Sequence, residues 1–282
     1  MYWQTSRRQI DLSRPLVMGI LNVTPDSFSD GGKYADPEAA LRRAEAMIAE
    51  GADIIDLGGE STRPGSQPVS AETEAERTIP IIEAIVKRFD TPISIDTSKS
   101  DVAERAVDAG AEIINDISGL RFDANIARVA AGRNAGLILM HSRGEFGSMH
   151  SQPAVEDIIA EVTAGLWRSV ETGRSVGVAD AAIVLDIGIG FGKTLGQNLE
   201  LIAKLDRLVS EFEPYPILVG TSRKSFIGKI LDDAPPTERL GGSIASALAA
   251  VLNGARIVRV HDVRETGGAL KIAAAIAGEA NK

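Results

Sequence analysis

Eight short runs rich in Val, Ile and Leu recur along the chain, and nearly all end on a polar residue followed by a loop and a helical stretch. Met18 to Leu21 ends on Asn22. The pattern returns at Ser94–Ser98, Ile113–Ser118, Leu137–Ser142, Ile183–Gly188, Ile217–Ser225 and Ile257–Asp262, and Ala52–Gly59 is a further run. Near-continuous apolar strands are those buried on both faces, as in parallel sheets covered by helices. Polar groups gathered at the same end of parallel strands build a site, not a core. Eight such units without a break in composition predict an α/β chain folded as a single (β/α)8 barrel. An open doubly wound sheet is the other architecture with this alternation, but it rarely needs eight units.

Punctuation residues mark the helices. Asp36-Pro37 opens the first and Gly51 closes it, with Asp as N-cap and Pro at the first helical position. Further helices are expected from Ser70, over 100–109, up to Arg133, over 155–172, 199–211 and 243–252, from Ser225 onward, and over 263–280. Residues 1–15 are polar, irregular and end at Pro15. They read as an N-terminal extension, expected to form a small hairpin under the barrel that occupies 16–282. The loops 22–32 and 58–65 are polar and punctuated by Gly and Pro, so they are expected to move and to close over bound ligand.

Composition narrows the chemistry. A net charge of −9 argues against a general nucleic-acid binder. The absence of cysteine removes disulfides and thiolate chemistry, and suits a reducing cytoplasm. Only three histidines exist, so a metal is expected to be a hard ion held by oxygen. No signal peptide opens the sequence and no apolar run reaches the roughly 18 residues that span a bilayer. The expectation is a cytoplasmic protein without membrane or nucleic-acid partners.

The glycine run Asp186–Thr194 tempts a nucleotide reading. A P-loop would need its first glycine at Ile187, and a dinucleotide fingerprint would need glycine at Lys193, so both fail. A strand-end aspartate before a tight turn remains, and Asp186 could simply cap that turn. Asp96 and Asn115 end the third and fourth strands, where each alone is a common turn cap. With Asp186 and Asn22 they place carboxylates and amides around one mouth, a match for a planar, donor-rich heterocycle. Ser222-Arg223-Lys224-Ser225 stands where a helix begins, and Arg259 and His261 share one side of the eighth strand. These cations suit an anion, and the last two strands of such barrels often hold phosphate.

MGILNVTPDSFSDGG, DLGGESTRPG, SIDTS, IINDISG, LMH, the D-x-GIGFGK exit, GTSRKSFIG and RVHDV occur in this order over essentially the whole chain. In these motifs the chain resembles the dihydropteroate synthase family. That family is a TIM barrel of folate biosynthesis. It joins p-aminobenzoate to 6-hydroxymethyl-7,8-dihydropterin diphosphate and releases pyrophosphate. The resemblance implies that Asp96, Asn115, Asp186 and Lys224 hold the pterin, with Met140 and Phe191 lining its pocket. It implies that Asn22, through Mg²⁺, with Thr62, Arg259 and His261, holds the diphosphate. Phe28, Thr62, Arg63, Pro64 and Ser225 would take the aminobenzoate. Asp96, Lys224, Arg259 and His261 are the residues it places at the chemistry, and it implies a homodimer. The family usually has proline after the sixth-strand aspartate. Ile187 stands there instead, and is expected to loosen the backbone at Asp186. The loop Ser142–His150 is also atypical, with no role assigned.

The implied reaction fits these residues. Pyrophosphate leaves a methylene on an electron-rich ring, so cations must meet the leaving group and carboxylates the ring. An aniline nitrogen is already nucleophilic, which agrees with the lack of a Ser/His/Asp or Cys/His arrangement. A pterin-dependent methyltransferase domain would share the acidic pocket, and a non-catalytic pterin-binding paralogue would share the fold. The diphosphate-directed Arg259 and His261 speak against both.

Overall fold

Val, Ile and Leu in short runs favour extended, pleated backbone. In the computed structural model, which describes residues 1–24, 37–62, 65–149 and 151–280, ten segments adopt it. Two short ones, β1 (Tyr2–Gln4) and β2 (Gln9–Asp11), pair antiparallel as a hairpin. The other eight are β3 (Leu16–Asn22), β4 (Ile54–Gly58), β5 (Ile93–Asp96), β6 (Ile113–Asp116), β7 (Gly136–Met140), β8 (Ile183–Asp186), β9 (Ile217–Val219) and β10 (Ile257–Val260). All are parallel to their neighbours, and β10 pairs with β3 to close the barrel. Closure excludes the open sheet.

The helices that alternate with these strands are α1 (Pro37–Glu50), α2 (Ala71–Arg88), α3 (Ser100–Asp108), α4 (Asn125–Arg133), α5 (Ile158–Ser175), α6 (Leu195–Ala203), α7 (Leu205–Glu211), α8 (Ser225–Ile230), α9 (Leu240–Leu252) and α10 (Val263–Ala280). No described helix is long and apolar enough to cross a membrane. The helix expected over 243–252 starts at Leu240, and two others differ from expectation where a cap sets the start. The helix expected from 155 begins at Ile158, because the Asp157 carboxylate accepts the Ala160 N–H at 3.0 Å. The helix expected over 199–211 starts earlier and is broken in two at Lys204. Thr194 and Gln197 form a reciprocal capping box that starts α6, and the three-residue spacing of that pair was readable in the sequence.

Two-residue alternation sorts each strand into an inner and an outer face. Met18, Ile54, Ile113, Ile138, Val184, Leu218 and Ile257 fill the lower barrel, and Ile55, Leu57, Ile95, Ile114, Leu139 and Leu185 face the helices. The hairpin closes the bottom. Trp3 and Leu12 are fully buried in the inner cluster, and the Trp3 Nε1–H donates to the Ala182 carbonyl at 2.8 Å. The strand beneath the indole starts with Gly136, where a Cβ would lie 3.1 Å from the Trp3 ring.

Candidate active site

The inner face changes chemistry one alternation above the apolar layer. Two residues beyond Ile54, Ile113, Val184 and Ile257 stand Asp56, Asn115, Asp186 and Arg259. Strand register aligns Asn22 with Gly58, Gly58 with Asp96, and Asp96 with Asn115. Three strands, β3, β5 and β6, therefore deliver Asn22, Asp96 and Asn115 at one level, while Asp56 of β4 stands one alternation lower, in register with Ile20 and Ser94.

Arg259 is the hub of this layer. Its Nε–H donates to Asp56 Oδ2 at 2.5 Å and its Nη2 donates to Asp96 Oδ2 at 2.6 Å. The Asn115 amide donates to the same Asp56 oxygen at 3.2 Å. Asp56 is fully buried, and its Oδ1 has no hydrogen-bond partner. Burial works against the Arg259 charge, but Asp56 and Asp96 hold its proton above the ordinary arginine value. Two carboxylates then share one cation. Burial, only partly offset by Arg259 and reinforced by Asp56, pushes the Asp96 carboxyl up to about 7.

Lys224 supplies the second cation. Its Nζ donates to the Ile189 carbonyl and stands 4.7 Å from the centroid of the Phe191 ring. Burial lowers its pKa to about 8, against the pull of Asp186. Burial also raises the Asp186 carboxyl, against Lys224 and the Gly188 N–H. Asp186 Oδ1 accepts that N–H at 2.7 Å, so the aspartate does cap its turn while standing in the charged layer. At Gly188, φ is +66° and a Cβ would sit 1.8 Å from the His141 carbonyl, so the turn requires glycine. Lys193 ties the same turn by donating to the carbonyls of His141, Gly188 and Phe191 at 3.1, 2.7 and 3.1 Å. It is thus a structural lysine, which explains the P-loop-like ending without a phosphate. Ile187 is fully buried in the outer core, so the turn is held by packing and by these hydrogen bonds where proline was expected.

Asn22, Thr62, Asp96, Phe191, Lys224, Ser225, Arg259 and His261 line one cavity of about 210 Å³. Asn115 reaches it through Asp56 and Arg259, and Asp186 through its charge beside Lys224. Met140 packs with Phe191, Ile117 and Met149 in an apolar wall. Ser222 Oγ lies 3.0 Å from His261 Nδ1 and accepts the His261 backbone N–H, which orients the imidazole. Phe28, Arg63 and Pro64 lie outside the described residues, as do most of the 22–32 loop and His150.

Two expectations change. The cations of the 222–225 segment do not act together, because Arg223 pairs with Asp262 and does not line the cavity. The helix there has only six residues, so its dipole is weak. Sequence reasoning missed Asp56 and Glu60. Glu60 lines the cavity, accepts the Val69 N–H at 2.7 Å and pairs with Lys99, which also holds the buried Glu74. An acid inside the apolar run Ala52–Leu57 was the available signal for Asp56.

Among the described residues, no three His, Asp or Glu side chains converge as a metal cluster. The Asn22 amide lines the cavity and has no hydrogen-bond partner among the described residues. It can give one oxygen to a hard ion that keeps waters and substrate oxygens as its other ligands, which is the habit of Mg²⁺.

Residues 18–261 match the family described as pterin binding enzyme. The dihydropteroate synthase of Synechocystis sp. is 48% identical over 263 residues, covering 93% of this chain and 90% of the relative. The crystal structure of Burkholderia cenocepacia dihydropteroate synthase complexed with 7,8-dihydropteroate superposes with a TM-score of 0.89 at 42% identity, covering 99% of this chain and 98% of that one. The Xanthomonas albilineans enzyme with 4-aminobenzoic acid superposes with a TM-score of 0.91 at 40% identity, covering 98% of both chains.

Proposed function

The chain belongs to the pterin-binding enzymes and, among them, to the dihydropteroate synthases, and from that premise we propose the roles of its mouth residues. It is a transferase of folate biosynthesis. Its substrates on this reading are p-aminobenzoate and 6-hydroxymethyl-7,8-dihydropterin diphosphate. The observation that carries the assignment is the Asp56–Arg259–Asp96 cluster facing Lys224 on Phe191.

Asp186, Asp96 and Asn115 take the amino-pyrimidinone edge of the pterin, whose N–H donors a carboxylate accepts in pairs. Phe191 and Met140 cover its ring, and Lys224 donates beside it. Arg259 spans the two ends of the substrate. Its Nε and Nη2 stay on the carboxylates, while Nη1, which makes no hydrogen bond among the described residues, turns to the diphosphate with His261 and Thr62. The bond from the methylene to the diphosphate oxygen breaks, and its electron pair leaves with pyrophosphate. Positive charge spreads into the ring, where Asp96 and Asp186 meet it. The neutral aniline nitrogen attacks the methylene and loses its proton to solvent. Ser225 and Thr62 line the cavity and take the aminobenzoate, a role that the family resemblance extends to Phe28, Arg63 and Pro64. Asn22 would hold Mg²⁺, which would supply further positive charge for the leaving group.

The homodimer is part of the same reading. Helices α9 and α10 pack together and leave Leu252, Ile272 and Ile276 64–72% exposed, a face suited to a second copy. Cytoplasmic placement agrees with a chain free of cysteine.

Pyrophosphate release tests the function. Release that requires p-aminobenzoate, the pterin diphosphate and Mg²⁺ together is expected. Pterin binding without release would leave a non-catalytic binder, and methyl transfer from a folate would leave a methyltransferase.

A further inference from the structure

A second cavity, of about 380 Å³, opens beside the barrel mouth, and the two touch through Met140, which lines this cavity and packs with Phe191 of the first. Its walls are the turn after β6, the segment after β7 and one side of α5. Part of the atypical loop Ser142–His150, which carried no assigned role, forms one wall.

Three arginines line it: Arg121, Arg143 and Arg168. None has a carboxylate within ion-pair distance among the described residues, although Glu161 also lines the cavity. Two are held in place by neutral groups. Arg121 Nη2 donates to Ser142 Oγ at 3.1 Å and to the Gly144 carbonyl at 2.8 Å. Arg143 Nη1 donates to the carbonyls of Pro153 and Gly192, both at 2.8 Å. Arg168 makes no side-chain hydrogen bond among the described residues. In a chain of net charge −9, three guanidinium groups against the single carboxylate of Glu161 around one hollow are a concentration of positive charge.

A second observation points the same way. His141 lines the cavity and is only 5% exposed, yet its Nδ1 is buried without a partner. Burial, with the charges of Lys193, Arg121, Arg143 and Arg168, lowers its pKa to about 2, so the ring adds polarity but no charge. Ser118, Ser142 and Thr172 add hydroxyls to the wall. Guanidinium forks and hydroxyls suit tetrahedral oxyanions, whose several oxygens accept bidentate bonds. A cation would meet three like charges here.

We propose that this cavity is a second anion site, separate from the substrate mouth, that takes a phosphate group between Arg121, Arg143 and Arg168. Free inorganic phosphate and the phosphate of a small phosphomonoester share that chemistry, and the volume leaves room for a substituent.

Equilibrium dialysis of labelled inorganic phosphate at low ionic strength tests it on the full chain. The measurement is made in an Arg259→Ala background, which weakens phosphate capture at the mouth. Phosphate binding should persist there at one equivalent per chain. Adding Arg168→Glu should weaken it at least tenfold, and adding Arg168→Lys, which keeps the charge but loses the fork, should fall between. Arg168 is exposed and its side chain makes no hydrogen bond or ion pair among the described residues, so these changes leave the thermal midpoint in place. Arg168→Glu alone should also keep its turnover in phosphate-free buffer. A dialysis isotherm unaffected by Arg168→Glu, or no measurable binding in the Arg259→Ala background, overturns the proposal. Competition by glucose 6-phosphate but not by glucose would mark a phosphomonoester as an accepted occupant, and competition by neither would restrict the site to the free ion.

Discussion

Replacing Asp56 by Asn isolates the buried carboxylate that sequence reasoning did not single out. The change keeps shape and volume but removes one of the two negative charges on Arg259. Asp56 Oδ2 accepts from Arg259 at 2.5 Å and from Asn115 at 3.2 Å, so a single oxygen positions both a cation and an amide of the mouth. Losing a charge-assisted hydrogen bond costs about 1.5–3 kcal/mol. If that loss falls on the transition state, kcat/KM drops about 10- to 150-fold, since each 1.36 kcal/mol is a decade. A second effect has its own sign. The Asp56 charge raises the Asp96 pKa, so its removal lets Asp96 fall from about 7 toward the usual carboxylate range. Asp96 must be ionised to accept from the pterin. The acid limb of the kcat/KM profile, expected near pH 7 in the parent, therefore moves to lower pH in Asp56→Asn. The basic limb near pH 8, set by loss of the Lys224 proton, stays. The assay is pyrophosphate release at subsaturating pterin diphosphate from pH 5 to 9. A loss under threefold with an unmoved acid limb would show that Asp56 only fills space, and would refute the sharing of Arg259 between two carboxylates.

Asp186→Asn should keep the fold and weaken pterin binding by roughly 1.5–3 kcal/mol, read by calorimetry, because an amide presents donors where the ligand also donates. Thr194→Ala removes one half of the capping box that starts α6 and should lower unfolding free energy in urea by about 0.5–2 kcal/mol without changing kcat. His141 stays neutral in the fold but takes a proton when unfolded. Its contribution is thus present above about pH 6.5 and is lost as pH falls from there toward 2. The slope is at most about 1.4 kcal/mol per pH unit for one group. His141→Gln should flatten the fall in urea midpoint between pH 6 and 4, and an unchanged slope would place the acid sensitivity elsewhere.

The barrel was legible because each strand announces itself as an apolar run bounded by turn residues. The mouth was legible because Asn22, Asp96, Asn115, Asp186 and Arg259 stand at the polar ends of those runs. The same rule leaves the outer face unassigned. His141 follows Met140 by one step, and alternation turns it toward α5 and away from the mouth. Asp116 follows Asn115 in the same way and spends its oxygens on the N–H groups of Ser118 and Leu120. Asp56 was hidden for the opposite reason: two residues short of the strand end, it looked like part of an apolar run. Counting by twos from Ile54 would have found it. The pairing of Arg223 with Asp262 and the three-carbonyl grip of Lys193 needed coordinates, since both depend on turns that spacing does not encode.

The Trp3 plug sets a schedule for biosynthesis. Its hydrogen-bond acceptor, Ala182, lies 179 residues further along the chain. The indole has no seat until β7 and β8 have left the ribosome. At translation rates of about 5–20 residues per second, the hairpin waits on the order of ten seconds or more with its aromatic face in water. Sealing of the barrel floor therefore waits for the middle third of the chain, and a fluorescence change from Trp3 during refolding of a Trp167→Phe variant would time the meeting of the first and middle thirds of the fold.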